Sequence, residues 1–330
     1  VLKNRPDTYR VGFSLPNDTF GRGWQLLARR TTLGEYSAES TRPITACPKH
    51  KKSATGMSRQ IELKTDAQLA TMHKAGLILH QGLDAVVAAA QPGVTTAHLD
   101  QVFRTVLADN GATSNFLGYH GFPATICASV NDEVVHGIPG ERVLQNGDII
   151  SIDAGAVING WHSDSARSVI VGTPDPADAR LSAITEEAMW AGIAAFAQAK
   201  HVGEIGNAIE DYVRAQPGEP LGILEDYVGH GIGSAMHQAP DVFNYRSGMR
   251  GPRVKAGMVL AIEPMLVRGD IDTKTLDDDW TVVTLDGSNA SQWEHSVARH
   301  KEGIWVITAP DGGAANLARY GVTPVPIPQN

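Results

Sequence analysis

The chain has 330 residues, of which 42% are hydrophobic and 19% charged, enough for one large domain or two ordinary ones with a substantial core. No apolar run approaches the roughly 18 residues that cross a bilayer, and the first residues lack the basic-then-apolar order of a secretory signal, so a cytoplasmic protein without membrane contact is expected. Residues 1–56 carry ten Lys or Arg and four Asp or Glu against 18 and 32 in the remainder, and that acidic body disfavours sequence-specific nucleic acid as a ligand of the folded part.

Residues 1–57 mix Arg, Ser, Thr, Pro and Gly without a period of 3.6 or 2 and read as a disordered or non-native basic tail. Within it Cys47-Pro-Lys-His50 is half a zinc knuckle with no second half, and Cys127 is too remote to suggest a disulfide framework. The pattern changes at Thr65-Asp-Ala-Gln68, a capping box that opens a helix over Leu69, Met72, Leu77, Leu79, Leu83, Val86 and Val87, stopped by Gln91-Pro-Gly93. A second helix is predicted from Thr96 to Asn110, with Leu99, Val102, Phe103, Val106 and Leu107 on one side and Gly111 as its stop. Strands follow around 124–130, 148–157 and 161–171. The second half repeats the plan, with helices at about 178–200 and 204–215 and strands near 224–229, 257–263, 280–285, 292–298 and 304–308. Two related α/β halves are expected, with a ligand site between them.

The most specific local signal is ISIDAGAVINGWHSDSARSVIV, where Asn159-Gly160 between Ile- and Val-rich runs predicts a two-residue hairpin turn. Such a turn sets Asp153 opposite Ala166 and Asp164 opposite Gly155. The two aspartates then become diagonal neighbours on one face, roughly 7 Å apart. Two carboxylates brought together in an apolar sheet repel and are costly to desolvate unless protonated or neutralised by cations. Three further motifs supply ionisable groups in apolar or glycine-rich stretches: VGHGIG with His230, AIEPM with Glu263 and SQWEHS with Glu294. Two Asp, two Glu and one His form the donor mix suited to paired Mn²⁺, Fe²⁺, Co²⁺ or Zn²⁺ rather than to a thiolate-rich structural zinc.

With GYHGFPATICASVNDEVVHGIPG, GMVLAIEPM and DDWTVVTLDGSNASQWEHS added, the order and context of these motifs resemble the type I methionine aminopeptidases over roughly residues 58–310. The resemblance implies an α/β chain of the α+β type, the pita-bread fold, with two pseudo-symmetric halves and a curved antiparallel sheet covered by helices. Residues 58–330 would form the catalytic domain. It implies two divalent ions, with Asp153 on one, Asp164 and Glu294 bridging both, and His230 and Glu263 completing the other. A bridging water or hydroxide would be the nucleophile, Glu263 the proton shuttle, His237 the group that steadies the oxyanion, and His136 the contact to the scissile amide or substrate. Tyr119, Phe122, Cys127, Met236 and Trp280 would enclose the first side chain, where aromatic rings and a thiol suit a thioether. Phe116 and Met236 depart from the residues frequent in relatives, which bears on pocket size.

The implied partners are N-terminal Met peptides and nascent chains with a small second residue, met by a monomer with a transient ribosome contact through the basic tail. Met57 is the first methionine, so the native start is expected at Met57 or, after initiator removal, at Ser58. A prolidase or Xaa-Pro aminopeptidase would use a similar metal set but carries a large folded N-terminal domain, and a metal-free binding module on the same scaffold would have lost ligands.

Overall fold

Thr65 opens helix α1 (Asp66–Ala89) through the expected capping box: its hydroxyl accepts from the Gln68 amide, and the Gln68 side chain accepts from the Thr65 amide. The structure, a computed structural model, describes residues 60–328; the basic tail, the Cys47 and His50 pair and the Met57 or Ser58 start lie outside the described residues. Leu69, Met72, Leu79, Leu83 and Val86 form the buried stripe of α1, whereas Leu77, grouped with them from sequence, is 38% exposed. It sits one residue past the stripe at Gly76, and one residue turns a helix by about 100°. Helix α2 (Thr96–Asp109) buries Leu99, Phe103 and Leu107 in one core with Leu79, Leu83 and Val86, while Leu69 and Met72 pack in a separate cluster with Ile232 and Val259.

Strands β1 (Thr113–Ser114), β2 (Ile126–Val130), β3 (Glu133–Val135), β4 (Ile149–Ile158) and β5 (Trp161–Ile170) follow. The β4–β5 hairpin turns on Asn159 and Gly160, whose φ values of 50° and 77° are the left-handed pair that a type I′ turn requires. Its register is the expected one, with Asp153 opposite Ala166 and Gly155 opposite Asp164. On the other side of β4 lie β2 and β1, and β2 sets Cys127 directly opposite Asp153.

The second half again begins with two helices, α3 (Pro176–Gln198) and α4 (Gly203–Arg214). Strands β6 (Gly222–Ile223), β7 (Gly229–Gly231), β8 (Gln238–Val242), β9 (Met258–Ile262), β10 (Met265–Val267), β11 (Thr273–Thr275), β12 (Val282–Thr284), β13 (Ala290–Gln292), β14 (His295–Arg299) and β15 (Ile304–Val306) lead to the short α5 (Ala314–Leu317). Every strand pairing among the described residues is antiparallel, and the ladders divide into four sheets. One apolar core lies under α1 and α2, and another under α3 and α4 against β9 and β14.

Three differences from the sequence expectation matter for the site. The strand expected near 224–229 is not formed: residues 224–228 are a bend between the short β6 and β7, which overlap the expectation only at Gly229. The strand expected over 292–298 is broken at Trp293-Glu294, and the one over 257–263 stops before Glu263-Pro264. The last two breaks face each other: Ile262 pairs with His295 on one side, and Met265 with Gln292 on the other. Proline 264 has no amide to donate to a ladder. Glu294 pairs instead with the first half, its amide donating to the Ala166 carbonyl at 2.9 Å and its carbonyl accepting from the Ala166 amide at 3.3 Å. The Ser296 hydroxyl tightens the stitch, accepting from the Asp164 amide at 3.0 Å and donating to the Asp164 carbonyl at 2.8 Å.

Candidate metal centre and substrate pocket

The stitch brings carboxylates from both halves onto one spot. Asp164, His230 and Glu294, all buried, each offer a ligand atom within 4.8 Å of the other two. His230 lies in β7, with its Nε2 3.4 Å from Glu263 Oε1. The Gln292 side-chain amide donates to Glu263 Oε2 at 3.3 Å and to Asp153 Oδ2 at 3.5 Å, tying the remaining two carboxylates together. All five residues expected from sequence to hold metal therefore converge.

The buried carboxylates call for neutralisation by protons or a cation. Burial pushes the Asp153 carboxyl up to about 7. Burial first, and then the neighbouring carboxylates, raise Asp164, Glu263 and Glu294 well above the carboxylate range. Among the described residues no Lys or Arg is ion-paired with any of the four. Asp153 Oδ1, Asp164 Oδ1 and Glu294 Oε1 are buried with no hydrogen-bond partner. Orphaned oxygens of this kind are costly in isolation. Their hard oxygen set with one imidazole fits divalent Mn, Fe, Co or Zn.

The five residues expected to enclose a first side chain also gather. Phe122, Cys127 and Met236 are buried together with Phe116 and Ala124, while Tyr119, Ile138 and Trp280 pack against them. Phe122 meets Trp280 edge-on at 5.0 Å and Phe116 at 6.3 Å. Phe116 is thus part of the same cluster. The buried Cys127 thiol is raised by desolvation and then by Asp153 opposite it, so it is a neutral apolar wall group rather than a nucleophile.

Of the two histidines, His237 bridges His230 and the aromatic cluster, and His136 lies against the aromatic side. His237, exposed on the loop between β7 and β8, has its ring 4.3 Å from that of His230, and its Nδ1 lies 2.8 Å from the Tyr119 hydroxyl. His136 has a left-handed backbone, φ 62°, and its ring lies edge-on to Tyr227 and Trp280, each at 6.1 Å. Burial drives its imidazole down to about 4. A non-glycine residue held there costs on the order of 1–3 kcal/mol, which is typical of functional positions.

The metallopeptidase family M24 model matches residues 70–301, most of the chain. The chain belongs to metallopeptidase family M24. Within the family it falls among the methionine aminopeptidases. Methionine aminopeptidase 1 of Mycobacterium tuberculosis is 46% identical over 254 residues, covering 76% of this chain and 96% of its own length. The crystal structure of methionine aminopeptidase from Thermotoga maritima superposes with a TM-score of 0.73 at 33% identity, over 76% of this chain and 99% of that one. The fold is therefore the pita-bread fold. It is shared more distantly, at 20% identity and a TM-score of 0.59, by the prolidase of Pyrococcus furiosus, which matches over 65% of its own length.

The sequence reading missed Gln292. Its backbone amide is held by Ser151 and Ser168 at 3.2 and 3.0 Å, so its side chain reaches two carboxylates from a fixed base. No sequence signal marks it, because β13 ends at Gln292 and the break at Trp293-Glu294 removes the period-two relation to Glu294.

Proposed function

We propose that the chain hydrolyses the N-terminal methionine from peptides and nascent chains whose second residue is small. The observation that carries this reading is the common wall of the acidic centre and the apolar pocket: Cys127 stands opposite Asp153, and Met236 directly precedes His237. A substrate with its first side chain among Phe116, Phe122, Cys127, Met236 and Trp280 has its α-amino group and first peptide bond beside the carboxylates. The unbranched thioether suits such a slot, with sulfur–aromatic contacts worth roughly 0.3–1.5 kcal/mol each.

Asp153, Asp164, His230, Glu263 and Glu294 would hold two divalent ions. When bound, such ions supply an activated water and a polarised carbonyl. Glu263 moves the proton, taking it from the attacking water and returning it to the leaving nitrogen; burial, and after it the charge of Asp153, raise its proton affinity towards that task. The Tyr119 hydroxyl orients the His237 ring, and donation into Nδ1 leaves the proton on Nε2 for the developing oxyanion. His136, neutral at pH 7, is suited to hydrogen-bond the scissile amide or the substrate backbone. The setting is cytoplasmic, where nascent chains emerge, and the working form is a monomer that meets the ribosome transiently.

The test compares Met-Ala-Ser, acetyl-Met-Ala-Ser and Ala-Pro with metal-loaded and chelated protein. Free Met-Ala-Ser is cleaved only when metal is present, and the acetylated peptide is not. Comparable turnover of the blocked peptide refutes exopeptidase action, and preferential cleavage of Ala-Pro transfers the reading to the prolidase branch.

A further inference from the structure

The segment that leads into α1 lies across the back of the loop bearing His237. Both oxygens of the Glu62 carboxylate are engaged there: the Ser234 hydroxyl donates to Oε1 at 2.6 Å and the Ser234 amide to Oε2 at 3.0 Å. Lys64, buried though charged, stands 3.4 Å from the same carboxylate and donates to the Gln238 side chain at 3.3 Å, while Gln238 donates to the Ser234 hydroxyl at 3.2 Å. Residues 62 and 64 thus grip the loop at 234 and 238, on either side of Met236 and His237. Two glycines make the room. A Cβ on Gly233 would come within 2.1 Å of Glu62 Oε2 and 2.2 Å of Lys64 Cε, and one on Gly257 within 2.7 Å of the Lys64 carbonyl. The Lys64 amide also donates to the Gly257 carbonyl at 2.7 Å, anchoring the segment to the turn before β9.

We propose that Glu62 is a positioning residue for catalysis: through Ser234 it sets where His237 stands, with Lys64 holding the carboxylate in place. Among the described residues the polar partners of Glu62 are Ser234, Gln238 and Lys64, so the role proposed for it runs through the loop. Although desolvation raises its carboxyl, the Ser234 and Gln238 hydrogen bonds and the Lys64 charge outweigh that and hold it at about 2, so it is ionised throughout the working pH range. Tyr119 tethers the front of the loop through His237 Nδ1, and the Glu62 grip holds it from the opposite side. Misplacement of a catalytic group by about 1 Å can cost on the order of 100-fold in rate. Freeing the Glu62 tether is expected to lower kcat by about tenfold.

This inference rests on the proposed role of His237, and the experiment separates the two. Glu62→Ala, Ser234→Ala, Glu62→Gln, His237→Ala and the double variant Glu62→Ala with His237→Ala are loaded with Mn²⁺. They are assayed on Met-Ala-Ser for kcat and KM separately, with thermal melting to verify folding. Glu62→Ala and Ser234→Ala should each lower kcat about tenfold with little change in KM, and Glu62→Gln, which keeps an acceptor for the Ser234 amide, should recover part of the loss. In the His237→Ala background Glu62→Ala should change kcat no further, because two residues acting through one group are not additive. Equal fold-losses in both backgrounds, or a kcat unmoved by Glu62→Ala and Ser234→Ala while His237→Ala lowers it, overturn the proposal. A His237→Ala variant with unchanged kcat removes the role of His237 itself, and the inference falls with it. Should Glu62→Ala melt below the assay temperature, Ser234→Ala carries the same comparison.

Discussion

Chelation should make this protein lose stability as pH rises from about 4 to about 7, and metal should abolish that loss. Asp153 shows why. Its carboxyl has an ordinary value of 3.8 and is pushed up by burial to about 7, so the folded chain retains a proton that the unfolded chain releases. Where the folded state binds more protons, stability falls with increasing pH. The penalty is absent below 3.8, grows through the interval and is complete above about 7. The displacement corresponds to about 4 kcal/mol at most, a sizeable share of the roughly 5–15 kcal/mol by which proteins are stable. Asp164, Glu263 and Glu294 are raised in the same direction and add to the trend. The assay is denaturant unfolding from pH 4.5 to 7.5 of wild type and Asp153→Asn, each chelated and each with excess Mn²⁺. Without metal, the variant should be the more stable protein at pH 7.5, and its advantage should vanish towards pH 4.5. With metal the order should reverse, because the ion binds the folded carboxylate selectively. Parallel pH profiles of chelated wild type and variant would refute the claim that the buried carboxylate is uncompensated.

Asp164→Ala or Glu294→Ala should reduce bound metal, measured by elemental analysis, and abolish hydrolysis of Met-Ala-Ser while the fold survives; near wild-type turnover would sink the ligand assignment. His237→Ala should lower kcat by about 10²–10³ with a smaller effect on KM, as expected of an oxyanion donor; an unchanged kcat with a raised KM would make it a substrate-positioning residue. Trp280→Ala removes the ring that meets both Phe122 and His136, and steady-state kinetics should show KM for Met peptides rising about tenfold, the loss of about 1.4 kcal/mol of apolar contact. No change in KM would place Trp280 outside the pocket.

What could be read from sequence is whatever short-range rules control. Asn159-Gly160 demands a type I′ turn, and because side chains alternate with a period of two, that turn alone determines that Asp153 and Asp164 share a face. Thr65 and Gln68 mark the start of α1 for an equally local reason, the reciprocal capping of two amides. Family motifs extend this to the residues expected as ligands and pocket lining, which the fold brings close together, but motif order says nothing about how strands are broken. The interruption at Trp293-Glu294 reads as continuous strand, because the partner that replaces the ladder at Glu294, Ala166, is more than a hundred residues away. That Leu77, apolar like its neighbours, faces solvent is a matter of packing, which alone reveals the edge of a buried stripe. Gln292 spanning two carboxylates and Glu62 gripping the His237 loop belong to the tertiary structure alone: polar side chains acquire such roles through neighbours brought close by the collapse of two cores, and no period or propensity encodes that meeting.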